Sequence, residues 1–227
     1  MRWRPSVHRD EMSEHGFGIA FDVRDAVIRT WDGTTSPLPV ARWCGTSIAE
    51  TDRVFDTAVL DRCDGPTLDL GCGPGRFLGA LQSRRVIALG IDSSPAAVAI
   101  ARAGGCHVLQ RDLFDVLPGE GRWQRVLLID GNIGIGGNPL RVLRRAIEMS
   151  SGTGTTLVEV DADVEHIRTD LIRVEAWSMA GKAVRGQWFR WARVGILGLE
   201  DLAAELGLVV DRVWEAGGRR VVEVGHR

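Results

Sequence analysis

The sequence predicts an α/β chain: a three-layer sandwich around a mostly parallel seven-stranded sheet that closes in an antiparallel C-terminal hairpin. Three observations predict it. From Gly65 onward, short apolar runs alternate with helical stretches, the rhythm of repeated strand–helix units lying parallel in one sheet. A glycine-rich turn, Gly71-Cys-Gly-Pro-Gly75, joins the first of these strands to the first helix. Two last apolar runs flank Gly217-Gly218, as in a hairpin. Residues 1–63 precede this rhythm and read as an N-terminal cap. Residues 64–227 read as the main domain, with a lid insertion at about 165–195 after its fifth strand.

Taken in order, the cap is expected to hold a hairpin (residues 18–23 and 26–31), a proline-containing loop and a helix. That helix opens on Ser47-Ile-Ala-Glu50, a pattern in which Ser and Glu cap each other's backbone N–H groups. Thr67–Leu70 is the first strand of the main domain and Arg76–Ser83 its first helix. Residues 86–91 form a second strand. Ser94 as N-cap and Pro95 at the first helical position then open a helix that Gly104-Gly105 stops. Residues 107–110 and 125–129 are the third and fourth strands, Pro139–Met149 a helix, and residues 155–160 the fifth strand. The insertion alternates apolar and polar residues and reads as two strands joined near 179–182. A helix over 199–206, ended by Gly207, leads to the final strands at 208–214 and 220–224.

A chain of 227 residues suits one well-packed core. Net charge is −2, so no global basic field draws it to nucleic acid or an anionic membrane. Its first ten residues are too charged for a signal-peptide core, and no apolar run approaches the ~18 residues of a membrane span. A cytoplasmic protein is expected. Cys44, Cys63, Cys72 and Cys106 form no C-x-x-C pair and the five histidines no H-E-x-x-H, so neither a metal site nor a disulfide is expected. The only lysine, Lys182, is followed by Ala183, which removes the Gly-Lys-Ser/Thr phosphate-binding loop.

The glycine-rich turn lets the backbone bend sharply after a buried strand and lets a ligand lie on bare main chain. The next helix points its free N–H groups at the same place. A dinucleotide site asks for G-x-G-x-x-G, but counting from Gly71 the third glycine's place holds Arg76, and from Gly73 it holds Leu78. What is present is Asp69-x-Gly71-x-Gly73-x-Gly75, an acidic residue two before the first glycine.

This stretch resembles the first motif of the class I S-adenosylmethionine (SAM)-dependent methyltransferases, Asp/Glu-x-Gly-x-Gly-x-Gly on a strand–turn–helix. The resemblance runs over about residues 65–161. It implies a SAM cofactor, without metal, whose methionine part is wrapped by Asp69, Gly71, Cys72, Gly73 and Gly75. By the same resemblance Asp92 receives the ribose hydroxyls and Ser93 lies beside the adenine. Asp112 takes the adenine amino group, Leu113 offers its backbone N–H, and Asp130 falls at the family's fourth motif. In related small-molecule enzymes the segment before the first motif closes over the cofactor. Arg42 is thus a candidate for the SAM carboxylate and Trp43 for the sulfonium.

Methyl transfer asks chiefly for geometry, the nucleophile in line and within ~3–3.5 Å of the methyl, with water excluded. A general base is optional. Asp130, Asn132 and His166, with Glu159 and Asp161, are the catalytic candidates. The fourth strand lacks the Pro-Pro-aromatic motif of base-amino methyltransferases, and no Pro-Cys nucleophile occurs. Alternation puts Phe189 and Trp191 on one face of the insertion and Trp188 and Arg190 on the other. With Trp177 they suit a lid over a flat small-molecule acceptor. The alternatives are an RNA or protein methyltransferase using the 185–193 stretch, an NAD-dependent oxidoreductase, and a non-catalytic SAM-binding protein.

Overall fold

The sheet that carries the molecule follows from where the sequence puts its β-branched and leucine runs. A computed structural model describes residues 16–22, 25–177 and 183–226. Its main sheet has seven strands: β3 (Thr67–Leu70), β4 (Ala88–Asp92), β5 (Val108–Gln110), β6 (Trp123–Leu128), β7 (Ser150–Val160), β11 (Val209–Ala216) and β12 (Arg219–Gly225). Their spatial order is β11-β12-β7-β6-β3-β4-β5. β3 pairs parallel with β4 and β6, and β4–β5 and β6–β7 are parallel as well. β12 is antiparallel to both of its neighbours. The strand order reverses at β3, and in such sheets a crevice opens beyond the C-terminal strand tips.

Side-chain alternation sends successive residues of each strand to opposite faces and so builds three layers. Leu68, Leu70, Val126, Leu128 and Val158 pack on α5 (Pro139–Met149) and α6 (Ile196–Glu205). After the one-turn α1 (Val40–Trp43), the helices α2 (Glu50–Leu60), α3 (Arg76–Ser83) and α4 (Pro95–Ala103) pack on Leu127, Ile129, Leu157 and Val221. Asp69 sits between Leu68 and Leu70, on the second face, and is buried. The Ser94 hydroxyl accepts the Ala97 N–H and caps α4 as the sequence predicts. Among the described residues no helix is long and apolar enough to cross a membrane.

Three local expectations are corrected. Gly18–Asp22 is a 3-10 helix, while β1 (Asp25–Thr30) makes its hairpin with β2 (Thr35–Pro37) through the Asp32-Gly33 turn; residues 23 and 24 of the expected strand lie outside the described residues. Ile19 and Ala20 are buried against Val174 and Ala176, so the short helix lies under a sheet instead of joining it. Ser47 does not cap α2: its hydroxyl turns to the Asp52 carboxylate at 2.5 Å, and the helix starts later, at Glu50, with Ala49 as N-cap. The insertion holds three strands where two are expected, namely β8 (Ile167–Trp177), β9 (Ala183–Arg185) and β10 (Phe189–Val194); the expected joint at 179–182 lies outside the described residues.

β8 pairs with β1 through Ile172–Trp177 and with β10 through Ile167–Ile172, Ile172 facing both. The cap and the insertion, more than a hundred residues apart in the chain, are therefore one antiparallel sheet. This second sheet stands over the crevice side of the first: β10 packs on the 3-10 segment Asn132–Gly137 that follows β6, the Ala192 carbonyl lying where a side chain at Gly134 would have to go.

Candidate functional site

A cavity of about 450 Å³ opens at the tips of β3, β4, β5 and β6. Its floor is the turn after β3. Gly71 and Gly73 adopt φ of +79° and +53°, where a side chain is strained. At Gly71 the space of a Cβ is taken by Asn132, whose amide donates to the Leu70 and Gly71 carbonyls at 2.9 and 2.8 Å. At Gly73 nothing lies within 4 Å of that position, so bare main chain faces the cavity. Asp92 reaches back from the tip of β4 and accepts the Gly73 and Ser94 N–H groups, each at 2.8 Å.

Asp69 lies at the bottom, and its carboxyl accepts no hydrogen bond from any described residue. Burial, reinforced by the Asp130 charge and opposed by Arg76, raises it to about 7. A buried acid without a donor fits a ligand that brings a cation. Burial also raises Asp92, against the pull of its two N–H donors. Ser93, Asp112 and Leu113 line the same cavity, Asp112 accepting the Phe114 N–H at 2.9 Å. Cys72 lines it too. Gly75 does not: it faces Cys106 and Ala101, at 3.1 and 3.2 Å from where its Cβ would be, and lets α3 close on α4.

Other expected residues are held elsewhere. Asp130 lines the cavity, but both carboxylate oxygens are engaged, one by Arg76 and one by Arg219, each at 2.6 Å. The two ion pairs fix the carboxylate against the cavity wall, and each oxygen keeps one further lone pair. Its N–H donates to Glu159, which Arg219 also grips. Asp161 makes a two-bond pair with Arg193; burial would raise its carboxyl, but those bonds outweigh burial and hold it below the usual carboxylate value. Asn132 lines the cavity with its amide nitrogen already committed to the turn. His166 stands exposed beside Asp201 at 3.8 Å and does not reach the cavity.

Arg42 pairs with Asp52 at 2.9 Å and stays out of the cavity, whereas Trp43 lines it. Of the four insertion residues, Arg190 and Trp191 line the cavity. Trp177 and Trp188 do not: Trp177 lies partly exposed across from Ala183, and Trp188 stacks edge-on against Trp31 at 5.1 Å, under Arg173. Phe17, Phe21, Phe114, Arg76, Ile135 and Arg141 are further lining residues, none of them a site candidate on the sequence. Arg76 was open to discovery, since it directly follows the glycine turn. Phe17 gave no local signal, because the β1–β8 pairing is what brings it over the crevice.

The fold is that of the class I SAM-dependent methyltransferases. The chain is similar to a SAM-dependent methyltransferase from Bacteroides fragilis in complex with S-adenosyl-L-homocysteine (SAH), at TM-score 0.70 and 17% identity, with 95% of this chain and 92% of that one covered. It is similar to the sugar N-methyltransferase KedS8 from a Streptoalloteichus species, at TM-score 0.57 and 18% identity over 79% and 88% of the two chains. It is also similar to the glycopeptide N-methyltransferase MtfA complexed with SAM, at TM-score 0.57 and 14% identity over 77% and 93%. No family model matches the sequence, and no curated protein matches it.

Proposed function

We propose that this chain is a SAM-dependent methyltransferase acting on a small-molecule acceptor. One observation carries the reading: an unpartnered buried Asp69 carboxylate beneath open main chain at Gly73, with Asp92 at the next strand tip. Asp69 receives an ammonium, and the Gly71–Pro74 backbone lies against the amino-acid tail. Asp92 receives ribose hydroxyls while it holds the Gly73 N–H; Asp112, Leu113 and Ser93 border the adenine. When bound, SAM supplies a methyl group made electrophilic by its sulfonium. The chain's own contribution is to orient the acceptor and exclude water.

The neighbours named above, which include a sugar N-methyltransferase and a glycopeptide N-methyltransferase, support this reading over an oxidoreductase. So does the charge of the floor: Asp69 repels a pyrophosphate, and Arg76, at the place of the third glycine, is tied to Asp56 and Asp130. Residues 1–63 act as cap and residues 165–195 as lid over the acceptor, a division supported by their shared sheet and by the contacts of Phe17 with Phe189 and Trp191. Calorimetry with SAH, SAM and NAD tests the proposal. SAH and SAM give saturable heats and NAD none; NAD binding without SAH binding overturns it.

A further inference from the structure

We infer that the acceptor is a flat aromatic acid, its ring held by Phe17, Phe189 and Trp191 and its anionic group by Arg190 and Arg141. This rests on the methyltransferase reading above and adds the acceptor's chemical class to it. Placement comes first. Trp191 lies over Gly131, 3.9 Å from where a Cβ there would stand, and so beside the residue that follows Asp130 at the tip of β6. Phe17 meets Trp191 edge-on at 4.8 Å and 85°, and Phe189 at 5.5 Å and 83°. Three rings set nearly at right angles form a corner whose faces and edges suit one planar apolar body.

Charge comes second. The cavity's carboxylates that lack an arginine partner, Asp69, Asp92 and Asp112, stand at the tips of β3, β4 and β5, on the cofactor side. On the other side, Asp130, Glu159 and Asp161 are already neutralised by Arg76, Arg219 and Arg193. Arg190 and Arg141 have no carboxylate partner among the described residues. They flank the Asn132–Gly137 segment: the Arg190 Cβ sits against Gly137, and the Arg141 guanidinium lies 3.6 Å over the Phe114 ring. Arg111, also in the lining, donates to the Val116 carbonyl at 2.5 Å on the β5 side. The wall formed by β10 and the Asn132–Gly137 segment thus brings the Arg190 guanidinium beside the aromatic corner, with Arg141 behind it over Phe114. An anion there gains charge-assisted hydrogen bonds, and a protonated amine would be repelled.

The test is calorimetry on protein saturated with SAH, with three probes of one shape: 4-hydroxybenzoate, 4-hydroxybenzamide and 4-hydroxybenzylamine. The acid binds at least about ten-fold more tightly than the amide, and the amine is weakest, the scale of one charge-assisted bond. In the double variant Arg141→Gln/Arg190→Gln, likewise saturated with SAH, the acid falls to the level of the amide. Absence of SAH binding overturns the methyltransferase reading and the inference with it. SAH binding together with an amide or amine that matches the acid, no uptake of the acid, or an acid preference that survives in the double variant overturns the acceptor class alone.

Discussion

Arg219 donates to the Asp130 carboxylate at 2.6 Å, so the turn of the C-terminal hairpin holds the tip of β6 beside the cavity. Asp130 is one of two described non-glycine residues in left-handed backbone, with φ of +56°. Its N–H bond to Glu159 and its ion pairs to Arg76 and Arg219 offset that strain. The Arg219 guanidinium also lies 3.7 Å over the Phe55 ring, which ties α2 to the same point.

Removing Arg219 leaves Glu159 without an arginine and Asp130 with only one, all partly buried. Arg219→Met keeps most of the volume and is expected to lower stability by about 1.5–3 kcal/mol, the scale of hydrogen bonds to charged groups lost from one side. Urea unfolding followed by circular dichroism measures it. A loss within experimental error would mean that the pair contributes nothing net.

Asp69 makes stability and binding depend on pH. Its carboxyl is near 7 in the folded chain and at the ordinary carboxylate value, 3.8, when unfolded. The folded state holds the proton more tightly, so this contribution to stability is present below about pH 4 and is lost as pH rises through 7. Between those limits wild type should lose a few kcal/mol relative to Asp69→Asn, whose slope lacks this component. SAH brings an ammonium that favours the ionised acid, so its affinity should rise with pH through 7 in wild type and stay flat in Asp69→Asn. Equal slopes for the two proteins would remove Asp69 from the site.

Gly71 and Gly73 should respond differently to one added methyl. Gly73→Ala meets nothing within 4 Å, so it costs only backbone strain, about 1–2 kcal/mol, while its Cβ enters the cavity and weakens SAH at least ten-fold. Gly71→Ala adds to the same strain the displacement of Asn132 at 2.7 Å, which frees two buried carbonyls and costs about 1–3 kcal/mol more. Thermal unfolding and SAH titration of both variants separate the two effects. Wild-type SAH affinity in Gly73→Ala would place the ligand elsewhere.

Asp92→Ala removes an acceptor that serves both the Gly73 N–H and the expected ribose hydroxyls. SAH should weaken by about 1.5–3 kcal/mol in calorimetry, the scale of a lost charge-assisted hydrogen bond. An unchanged affinity would mean that Asp92 holds the turn and nothing more.

The cofactor side of the cavity was legible because its signals are local. Asp69, Gly71 and Gly73 lie within five residues on a strand and its turn, and Asp92 and Asp112 close later strands, so strand periodicity alone brings these carboxylates to one sheet edge. The acceptor side was not, since its parts come from distant stretches. Phe17 meets Trp191 only because β1 and β10 both pair with β8. Asp130 reads as a free base in the sequence; two arginines, one 54 and one 89 positions away, take its oxygens. Trp188 reads as a lid residue on alternation, yet Trp31 on the neighbouring hairpin draws it to the far side.

The sequence by itself determined the seven-strand rhythm, the left-handed glycine turn and the acids at the strand tips, because helix, strand and turn preferences act over a few residues. Tertiary structure alone decided that cap and insertion share one sheet, which aromatics wall the cavity, and which charges stay free. Those outcomes depend on partner choice among distant side chains, and burial raises the cost of an unpaired charge, so among the described residues the more buried guanidiniums of Arg76 and Arg219 are matched to carboxylates while the exposed Arg141 and Arg190 are not.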